Sequence, residues 1–342
     1  MKPLKKAIIM MATYNGEKYI ESQINSLLKQ TYKNWSLYIS DNGSTDRTLD
    51  ILNKYKALDK RIAEIYVNKD KVGAYENYYF LMRMIKEKRI DDIEYFFYCD
   101  QDDIWDKKKI ELEVELLDEF ANVPCLCFSD ASIIDSEGVP TGKKVSEMVN
   151  GYTSNKYSYL FEPRYMLGTT SAHNRKLWEL IVLPSDNSFL IIPHDQLIRK
   201  FAAAYGTIRY ISYPLVKYRR HKNNVSYEPH RYSLLKAVAK VLLSMGDSIK
   251  HCAEQQVKSL IFCELLDDIE NRIILDYKKA LFDGGIKIIN FIRKYKIVIS
   301  DDPYFRVGYE LILFSKLYKY NRVYIDFINS RETESKNDNK YR

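Results

Sequence analysis

The sequence predicts an α/β fold with a mostly parallel β-sheet, followed by an α-helical C-terminal region. Three observations lead to this prediction. Short apolar runs alternate with amphipathic segments through roughly the first 120 residues, polar and acidic residues follow the apolar runs, and the pattern from about residue 229 to 328 is almost wholly helical. Strand–helix alternation with short connections is typical of βαβ units, whose ligands lie beyond the carboxyl ends of the strands.

The elements of the first half follow from hydrophobic periodicity. Ala7–Ala12 is an unbroken apolar run, typical of a strand buried on both faces. Ile20, Ile24 and Leu27 recur at helical spacing and predict a helix over 17–30. The other predicted elements are a strand at Trp35–Ser40, a helix around 49–55, a strand at Ile62–Val67, a helix at 74–88, a strand at Tyr95–Cys99 and a helix at 107–121.

The second half is less regular. Between residues 125 and 218, the segments Cys125–Ala131 and Arg209–Val216 are typical of strands, and His194–Tyr205 is typical of a helix. The last dozen residues are polar, and we expect them to be disordered.

Composition narrows the function classes. Of the 342 residues, 46% are hydrophobic and 29% charged, which excludes intrinsic disorder for the bulk of the chain. The longest apolar run is about six residues, far short of the ~18 that a membrane-spanning helix needs. The basic start is followed by too short an apolar stretch for a secretory signal. We therefore expect a cytosolic protein.

Charge, tyrosine and cysteine content are less decisive. A net charge of +7 argues only weakly for an anionic partner, and the dispersed Lys and Arg residues argue against nucleic acid. Many of the 29 Tyr lie beside Lys or Arg, which suits either a membrane–water interface or ordinary packing. We expect the five Cys to be small buried residues in a reducing compartment rather than zinc ligands.

Polar turn residues follow three of the predicted strands. Thr13–Glu17 comes after the first strand, Asp41–Asp46 after the second and Asp100–Asp103 after the fourth. The carboxyl ends of parallel strands meet at one edge of a sheet, so these residues should converge on a common site.

The segment Asp100–Asp103 is the most informative of the three. Three carboxylates within four residues repel one another, and a cation relieves that repulsion. In an extended segment, Asp100 and Asp102 face the same side. Oxygen ligands at this spacing suit Mg²⁺ or Mn²⁺, with coordination positions left open for phosphate oxygens. The sequence therefore predicts a metal–diphosphate site.

These motifs resemble the signatures of family 2 glycosyltransferases of the GT-A fold. The matching segments are Ala12–Gly16, Ser40–Asp46 and Cys99–Trp105, and their order and spacing match through about residue 225. The Asp-Gln-Asp-Asp-Ile-Trp form resembles bacterial rhamnosyltransferases and related enzymes of capsule, O-antigen and cell-wall polysaccharide assembly.

The resemblance implies a GT-A nucleotide-diphospho-sugar transferase fold, with a Rossmann-like mixed sheet and a C-terminal α-helical extension. The implied domains are a catalytic domain at 1–225, with the nucleotide-sugar part at about 1–105 and the acceptor half at about 106–225. A helical region at 226–330 and a disordered tail at 331–342 follow. We expect the helical region to contact the membrane, form a homodimer or pack on the catalytic domain.

The resemblance also implies roles for residues of the donor half. Asp41 should accept a hydrogen bond from N3–H of uracil or thymine, and Lys71 should offset diphosphate charge. Gly73 and Asn77 correspond to a donor-side segment. The residues implied in nucleotide-sugar binding are Thr13, Tyr14, Asn15, Glu17, Asp41, Lys71, Asp100 and Gln101, and the implied ligands of Mn²⁺ or Mg²⁺ are Asp100, Asp102 and His221.

In the acceptor half, Asp195 aligns with the catalytic base. His194 replaces the first acid of the family's usual acidic pair, a departure typical of the rhamnosyltransferase-like group. The residues expected near the donor or acceptor sugar are Trp105, Gly168, Thr169, His194, Arg219 and Arg220. For Trp105, and for the tyrosines near Tyr165, core packing is an equal alternative to stacking on a sugar.

The expected activity is inverting, metal-dependent sugar transfer from a dTDP- or UDP-sugar to a glycan or polyprenyl-diphosphate-linked acceptor. The resemblance favours dTDP-L-rhamnose, with UDP-hexoses as the alternative. A non-catalytic nucleotide-sugar-binding subunit is the alternative from another class. A nucleotidyltransferase is disfavoured, because Thr13–Glu17 lacks the Gly-rich basic start that cradles a triphosphate.

Overall fold

The computed structural model describes residues 5–68, 72–88, 90, 92–148, 152–161, 166–185, 188–222, 224, 245–266 and 271–338. The chain divides into two compact units. The first comprises Met1–Tyr152, Tyr165–Leu183 and Pro193–Pro229, and the second comprises Thr153–Arg164, Pro184–Ile192 and His230–Arg342.

The first unit is built on a mixed sheet that the described residues form from nine strands. Its strands are β1 (Lys6–Thr13), β2 (Trp35–Asp41), β3 (Ile62–Val67), β4 (Ile93–Cys99), β5 (Ile104–Trp105), β6 (Cys125–Ile134), β7 (Pro140–Lys144), β8 (Ser171–Asn174) and β9 (Thr207–Arg219). The order across the sheet is β3-β2-β1-β4-β8-β6-β9-β5, with β7 paired to β6.

Four of the eight strand pairs in the described sheet are parallel. β1 pairs in parallel with β2 and β4, β2 with β3, and β6 with β9. Strand β8 runs antiparallel to β4 and β6, and the short strands β5 and β7 also pair antiparallel. The sheet is therefore mixed, as the resemblance implies. The predicted parallel pairing holds for β1 to β4, and the carboxyl edge of these strands collects the ends of β1, β2 and β4.

Helices follow the strands, and the periodicity predicts all of those in the first unit except the short helix at 175–180. Those of the first unit are α1 (Ile20–Leu28), α2 (Thr48–Leu58), α3 (Ala74–Glu87), α4 (Lys109–Asp118), α5 (Arg175–Leu180) and α6 (His194–Tyr205). The core between sheet and helices includes Ile9, Leu37 and Phe97, each fully buried. All five cysteines are free and buried, as expected.

The second unit is helical where it is described. Its helices are α7 (Met245–Glu264), α8 (Arg272–Asp283), α9 (Ile286–Lys294), α10 (Pro303–Ser315) and α11 (Arg322–Asp338). In the described part of the chain, no helix combines the length and the apolar character that crossing a membrane requires.

The second unit also includes two segments, Thr153–Arg164 and Pro184–Ile192, that lie within the catalytic domain predicted from the sequence (1–225). The hydrogen bonds of the first segment explain this. The Asn155 amide donates to the carbonyl oxygens of Tyr295 (2.8 Å) and Lys296 (2.6 Å), and the Tyr277 hydroxyl donates to Leu160 O (2.9 Å). The predicted boundary at 225/226 itself lies outside the described residues.

The C-terminal tail differs from its prediction. Helix α11 continues to Asp338, into the range expected to be disordered. Arg331 anchors it, because its guanidinium donates to both carboxylate oxygens of Glu264 at 2.8 and 3.2 Å. Such a bidentate pair fixes the helix geometry more firmly than a single contact does.

Candidate active site

The ends of β1 and β2 are tied together around Asp41. The buried Asp41 carboxylate accepts hydrogen bonds from the Thr13 hydroxyl (2.8 Å), the Ser44 amide (2.7 Å) and the Ser44 hydroxyl (2.6 Å). The predicted base-binding residues Thr13 and Asp41 are therefore in contact. A carboxylate has about four acceptor positions, so these three hydrogen bonds leave one position unused on a side chain that is fully buried.

The loop after β1 is locked to the loop after β2. Asn15, whose backbone is left-handed (φ 45°), accepts a bond from the Thr45 amide at 2.8 Å. The Glu17 amide donates to Asp46 (3.0 Å), and the Glu17 carboxylate accepts from the Arg47 amide (3.0 Å). These reciprocal bonds give both loops a fixed shape before any ligand binds.

Gln101 connects this loop to the acidic segment after β4. Its side-chain amide accepts from Tyr14 N (2.9 Å) and donates to Tyr14 O (3.0 Å). A Cβ at Gly16 would lie 2.3 Å from Gln101 Oε1, so any other residue there would push the Gln101 side chain away from its present position. The Tyr14 ring remains 47% exposed and can stack on a base.

The acidic segment concentrates negative charge. Burial, together with the neighbouring Asp102 and Asp195 carboxylates, raises the pKa of the Asp100 carboxyl to about 7, and the hydrogen bond from Tyr78 (3.0 Å) opposes the rise. Burial and the neighbouring Asp102 and Asp100 carboxylates also raise the pKa of Asp103. Asp195 is therefore close enough to the segment to act on it electrostatically.

His221 meets this segment from the end of β9. Its Nε2 lies 2.7 Å from Asp102 Oδ2, and its ring stacks on Tyr19 with the ring centres 5.0 Å apart. The predicted ligands Asp102 and His221 are thus adjacent, whereas the Asp100 carboxylate is turned to the Tyr78 hydroxyl. Across the described ranges, no group of three or more His, Cys, Asp or Glu side chains is arranged to hold a metal ion.

Asp102 and His221 fit a divalent cation as a pair. A carboxylate oxygen and an imidazole nitrogen are both ligands that Mn²⁺ accepts, and an ion between them would take the place of their hydrogen bond. The three-residue set predicted from the sequence is reduced to these two, and a bound diphosphate would have to supply further oxygens.

The acceptor-side residues come together at the start of α6. A Cβ at Gly168 would lie 2.6 Å from His194 Nε2, so the loop before β8 presses directly on this helix. The His194 ring stacks on Tyr78 with centres 3.8 Å apart. Burial lowers the pKa of His194 to about 3, so its imidazole is neutral near pH 7 and cannot supply the charge of the acid it replaces.

Three predicted site residues have other roles in this structure. Trp105 is buried in the core and donates to the buried Thr169 hydroxyl at 3.3 Å, so neither faces a sugar. Arg219 is also buried, and its guanidinium donates to the Asp102 carbonyl oxygen (2.7 Å), which holds the acidic segment in place. These three side chains, whose residue types suggested a role in binding, are instead packed in the interior.

Other predictions are partly described. Asn77 is buried and exchanges hydrogen bonds with Ser40 at 2.6 and 2.8 Å, which ties α3 to β2. Arg220 is half-buried beside the Tyr218 ring. Lys71 and Tyr165 lie outside the described residues.

Two tyrosines that the sequence did not single out organise the site. Tyr78 donates to the Cys99 carbonyl oxygen (2.7 Å) and to Asp100, and it stacks on His194. Tyr19 lies under both His221 and the Arg219 guanidinium, whose carbon is 4.7 Å from the ring centre. Tyr19 stands two residues after Glu17, a predicted binding residue, so its position in the sequence could have indicated that it lies at the site. Tyr78 is one of several tyrosines in α3, and the sequence does not distinguish it from the others.

Comparison with known proteins points to one family of enzymes. The family model for "Glycosyl transferase family 2" matches residues 8–180. The chain is 32% identical over 222 residues to "dTDP-rhamnosyl transferase RfbG" of Shigella flexneri, covering 63% of this chain and 72% of that protein. It is 31% identical over 144 residues to "Putative teichuronic acid biosynthesis glycosyltransferase TuaG" of Bacillus subtilis, covering 42% and 52%.

A solved structure has the same fold. The S. aureus TarS fragment 1–349, determined in complex with UDP-GlcNAc, superposes with a TM-score of 0.53 at 14% identity, over 92% of this chain and 90% of that one. The GT-A fold with a helical C-terminal region is therefore confirmed, and the family model covers half of the sequence. The chain thus belongs to glycosyl transferase family 2, the glycosyltransferases whose motifs its sequence resembles.

Proposed function

We propose that the protein is an inverting, metal-dependent glycosyltransferase of bacterial surface polysaccharide synthesis, acting in the capsule or cell-wall pathways. The proposed donor is dTDP-L-rhamnose, and the proposed acceptor is a glycan or a polyprenyl-diphosphate-linked glycan. The donor assignment is supported by the 32% identity to a protein named as a dTDP-rhamnosyl transferase. We further propose that it works in the cytoplasm at the inner face of the membrane.

One observation carries the catalytic part of the proposal. Carboxylates and an imidazole from separate elements converge, with Asp102 and His221 2.7 Å apart and Asp195 near enough to raise the Asp100 pKa. The buried Arg219 guanidinium beside this segment donates to backbone carbonyl oxygens rather than to the carboxylates. An acidic site with a neighbouring imidazole favours a bound divalent cation and an anionic ligand.

In the proposed mechanism the chain's own groups bind, orient and deprotonate. Thr13 and Asp41 bind the base edge, and the exposed Tyr14 ring covers it. Asp195 accepts the proton of the acceptor hydroxyl as that oxygen attacks the anomeric carbon, which is worth roughly 10²–10⁴-fold. One displacement inverts the anomeric centre. When bound, Mn²⁺ or Mg²⁺ held by Asp102 and His221 would neutralise charge on the departing diphosphate.

The donor is tested by incubating the purified protein with dTDP-L-rhamnose, UDP-glucose, UDP-galactose and UDP-N-acetylglucosamine, each with MnCl₂ or with EDTA. Binding is read by calorimetry, and slow hydrolysis by the release of nucleoside diphosphate. We expect metal-dependent binding and hydrolysis of dTDP-L-rhamnose. Activity with a UDP-hexose alone would contradict the donor assignment and leave the transferase assignment standing.

The base is tested with Asp195→Asn. We expect this variant to bind donor like the wild type and to lose transfer and donor hydrolysis by roughly 10²–10⁴-fold. Asp50→Asn, an exposed acid on α2, is the matched control and should change neither. Retained transfer by Asp195→Asn would remove Asp195 from the role of base. Donor binding without any turnover by the wild type would favour a non-catalytic subunit.

A further inference from the structure

The second unit carries an apolar stripe along α10. The exposed side chains Tyr304, Val307, Leu311 and Phe314 are 49–60% accessible and are spaced three, four and three residues apart. At 100° per residue this spacing puts all four on one face of the helix. Tyr309 and Leu313, on the opposite face, are buried. Helix α10 therefore packs with one face and leaves an apolar face open.

The stripe continues onto neighbouring helices. Phe282, at the end of α8, is 61% accessible, and Ile286, at the start of α9, is 51% accessible. The Gly285 amide between them donates to Leu313 O at 3.1 Å, and a Cβ at Gly285 would lie 3.4 Å from Phe314 O. The two exposed side chains thus extend the α10 stripe into one patch.

Basic side chains border this patch. Lys287 follows Ile286, Lys316 follows α10, and the Lys319 ammonium lies 5.8 Å from the centre of the Phe282 ring. Burial and the neighbouring Lys316 ammonium lower the pKa of Lys319, so these two cations repel each other. Residues 272–322 contain eleven Lys or Arg and only five Asp or Glu, which concentrates the positive charge of the chain here.

We propose that this patch (Phe282, Ile286, Tyr304, Val307, Leu311, Phe314 and the lysines 287, 316 and 319) docks on an anionic lipid bilayer. Exposed aromatic and aliphatic side chains enter the boundary between headgroups and acyl chains, and lysines pair with the phosphates above it. Charge argues against a second copy as the occupant, because two such patches face to face would oppose their lysines.

This proposal specifies the membrane contact of the proposed function and rests on that function. Its test measures lipid binding rather than sugar transfer. Failure of lipid binding would leave the donor and metal results untouched. Failure of transfer would equally leave this surface standing.

The test is cosedimentation of the full chain with vesicles of phosphatidylcholine alone or with one-third phosphatidylglycerol, at 50 and 500 mM NaCl. We expect binding to the anionic vesicles that weakens at high salt. Lys287→Glu/Lys316→Glu should lower it by about 30-fold, since each lysine near an anionic surface contributes about fivefold. Lys29→Glu/Lys60→Glu, on exposed lysines of the first unit, should leave it unchanged.

A second pair of variants tests the apolar part. Leu311→Glu/Phe314→Glu should lower vesicle binding by about tenfold or more, whereas Leu58→Glu/Val182→Glu, on exposed apolar residues of the first unit, should not. Melting temperatures within a few degrees of the wild type establish that the variants fold. No wild-type binding, equal binding to neutral vesicles, or a dimer that Leu311→Glu/Phe314→Glu converts to monomer would each overturn the proposal.

Discussion

Single residues at the rim of the sheet fall into two groups according to their partners. Gln101, Arg219 and Tyr78 are committed to backbone and side-chain hydrogen bonds that hold the loops. The Asp102–His221 pair and the exposed Tyr14 ring are the groups that we propose bind the substrate. The first group fixes the positions of the second, which is how a site becomes preorganised.

The sequence predicted which residues converge on the rim of the sheet, but not which groups each side chain contacts. The motifs around Thr13, Asp41 and Asp102 identified the rim correctly, because strand ends are readable from hydrophobic runs. For Trp105, the structure has the core packing that the sequence left open as an equal alternative, and Arg219 is buried against the acidic segment. The burial of both depends on the pairing of β5 with β9, which the sequence does not reveal. The contribution of Tyr78 likewise depends on how α3 packs.

The Gly168 contact leads to a prediction about this loop. Gly168→Ala would put a Cβ 2.6 Å from His194 Nε2, and the stacked Tyr78 ring keeps His194 from moving away. We expect a loss of about 1–3 kcal/mol in the free energy of unfolding. Because Asp195 adjoins His194, transfer should also fall by about 10²-fold. Urea unfolding and initial rates measure the two effects.

The matched control is Gly308→Ala. No atom lies within 4 Å of a Cβ at that position in α10, so the change should leave activity intact and stabilise the helix by up to about 1 kcal/mol. Equal behaviour of the two alanine variants would show that the Gly168 contact is unimportant.

Among the elements, α4 contains an unusual ion pair. The Lys109 ammonium donates to both oxygens of Glu113 at 2.6 and 2.7 Å, and both side chains are fully buried. The ammonium also lies 4.7 Å from the centre of the Trp105 ring. Burial raises the pKa of Glu113 to about 7, and Lys109 opposes that rise. The pair thus holds α4 against Trp105 of β5, the strand that follows the acidic segment.

Removing Lys109 should destabilise the protein in a pH-dependent way. Lys109→Met keeps the packing of the stem and leaves Glu113 buried without its cation, which should cost about 3–5 kcal/mol at pH 8. A carboxyl whose folded pKa is raised stabilises the fold fully below its unfolded pKa near 4.5 and loses that contribution as pH rises through the folded value. The cost should therefore shrink between pH 8 and pH 5.

Denaturant unfolding of Lys109→Met and of the double variant Lys109→Met/Glu113→Gln at both pH values measures this effect. The double variant should recover most of the loss at pH 8, because no charge remains buried. A single-variant cost that is the same at pH 5 and pH 8 would exclude Glu113 titration as its cause.

Helices and strands were predictable from the sequence where one hydrophobic period continued through the whole segment. β1 to β4 and α1 to α4 lie close to their predicted ranges, and α6 (His194–Tyr205) matches its prediction. The sequence did not predict β5, β7 or β8, because Ile104–Trp105, Pro140–Lys144 and Ser171–Asn174 are short or polar and have no clear alternation. Their pairing is set by long-range contacts rather than by local propensity.

For the whole molecule, the division into two units was only partly predictable from the sequence. The helical character of the C-terminal region was evident from periodicity. The recruitment of Thr153–Arg164 and Pro184–Ile192 into that unit was not, because it depends on bonds such as Asn155 to Tyr295 across 140 positions of the chain. Segments between predicted elements carry little periodic signal, so sequence reasoning assigned them to the domain around them.

Donor binding at the Asp102–His221 pair is the central proposal, and calorimetry of the donor sugar nucleotide with and without Mn²⁺ tests it most directly. For the wild type we expect binding that requires the metal. Asp102→Asn should weaken that binding by about tenfold or more, since a carboxylate is a better Mn²⁺ ligand than an amide, and Asp195→Asn should leave it unchanged. Binding by Asp102→Asn as tight as that of the wild type in the presence of Mn²⁺ would contradict the account.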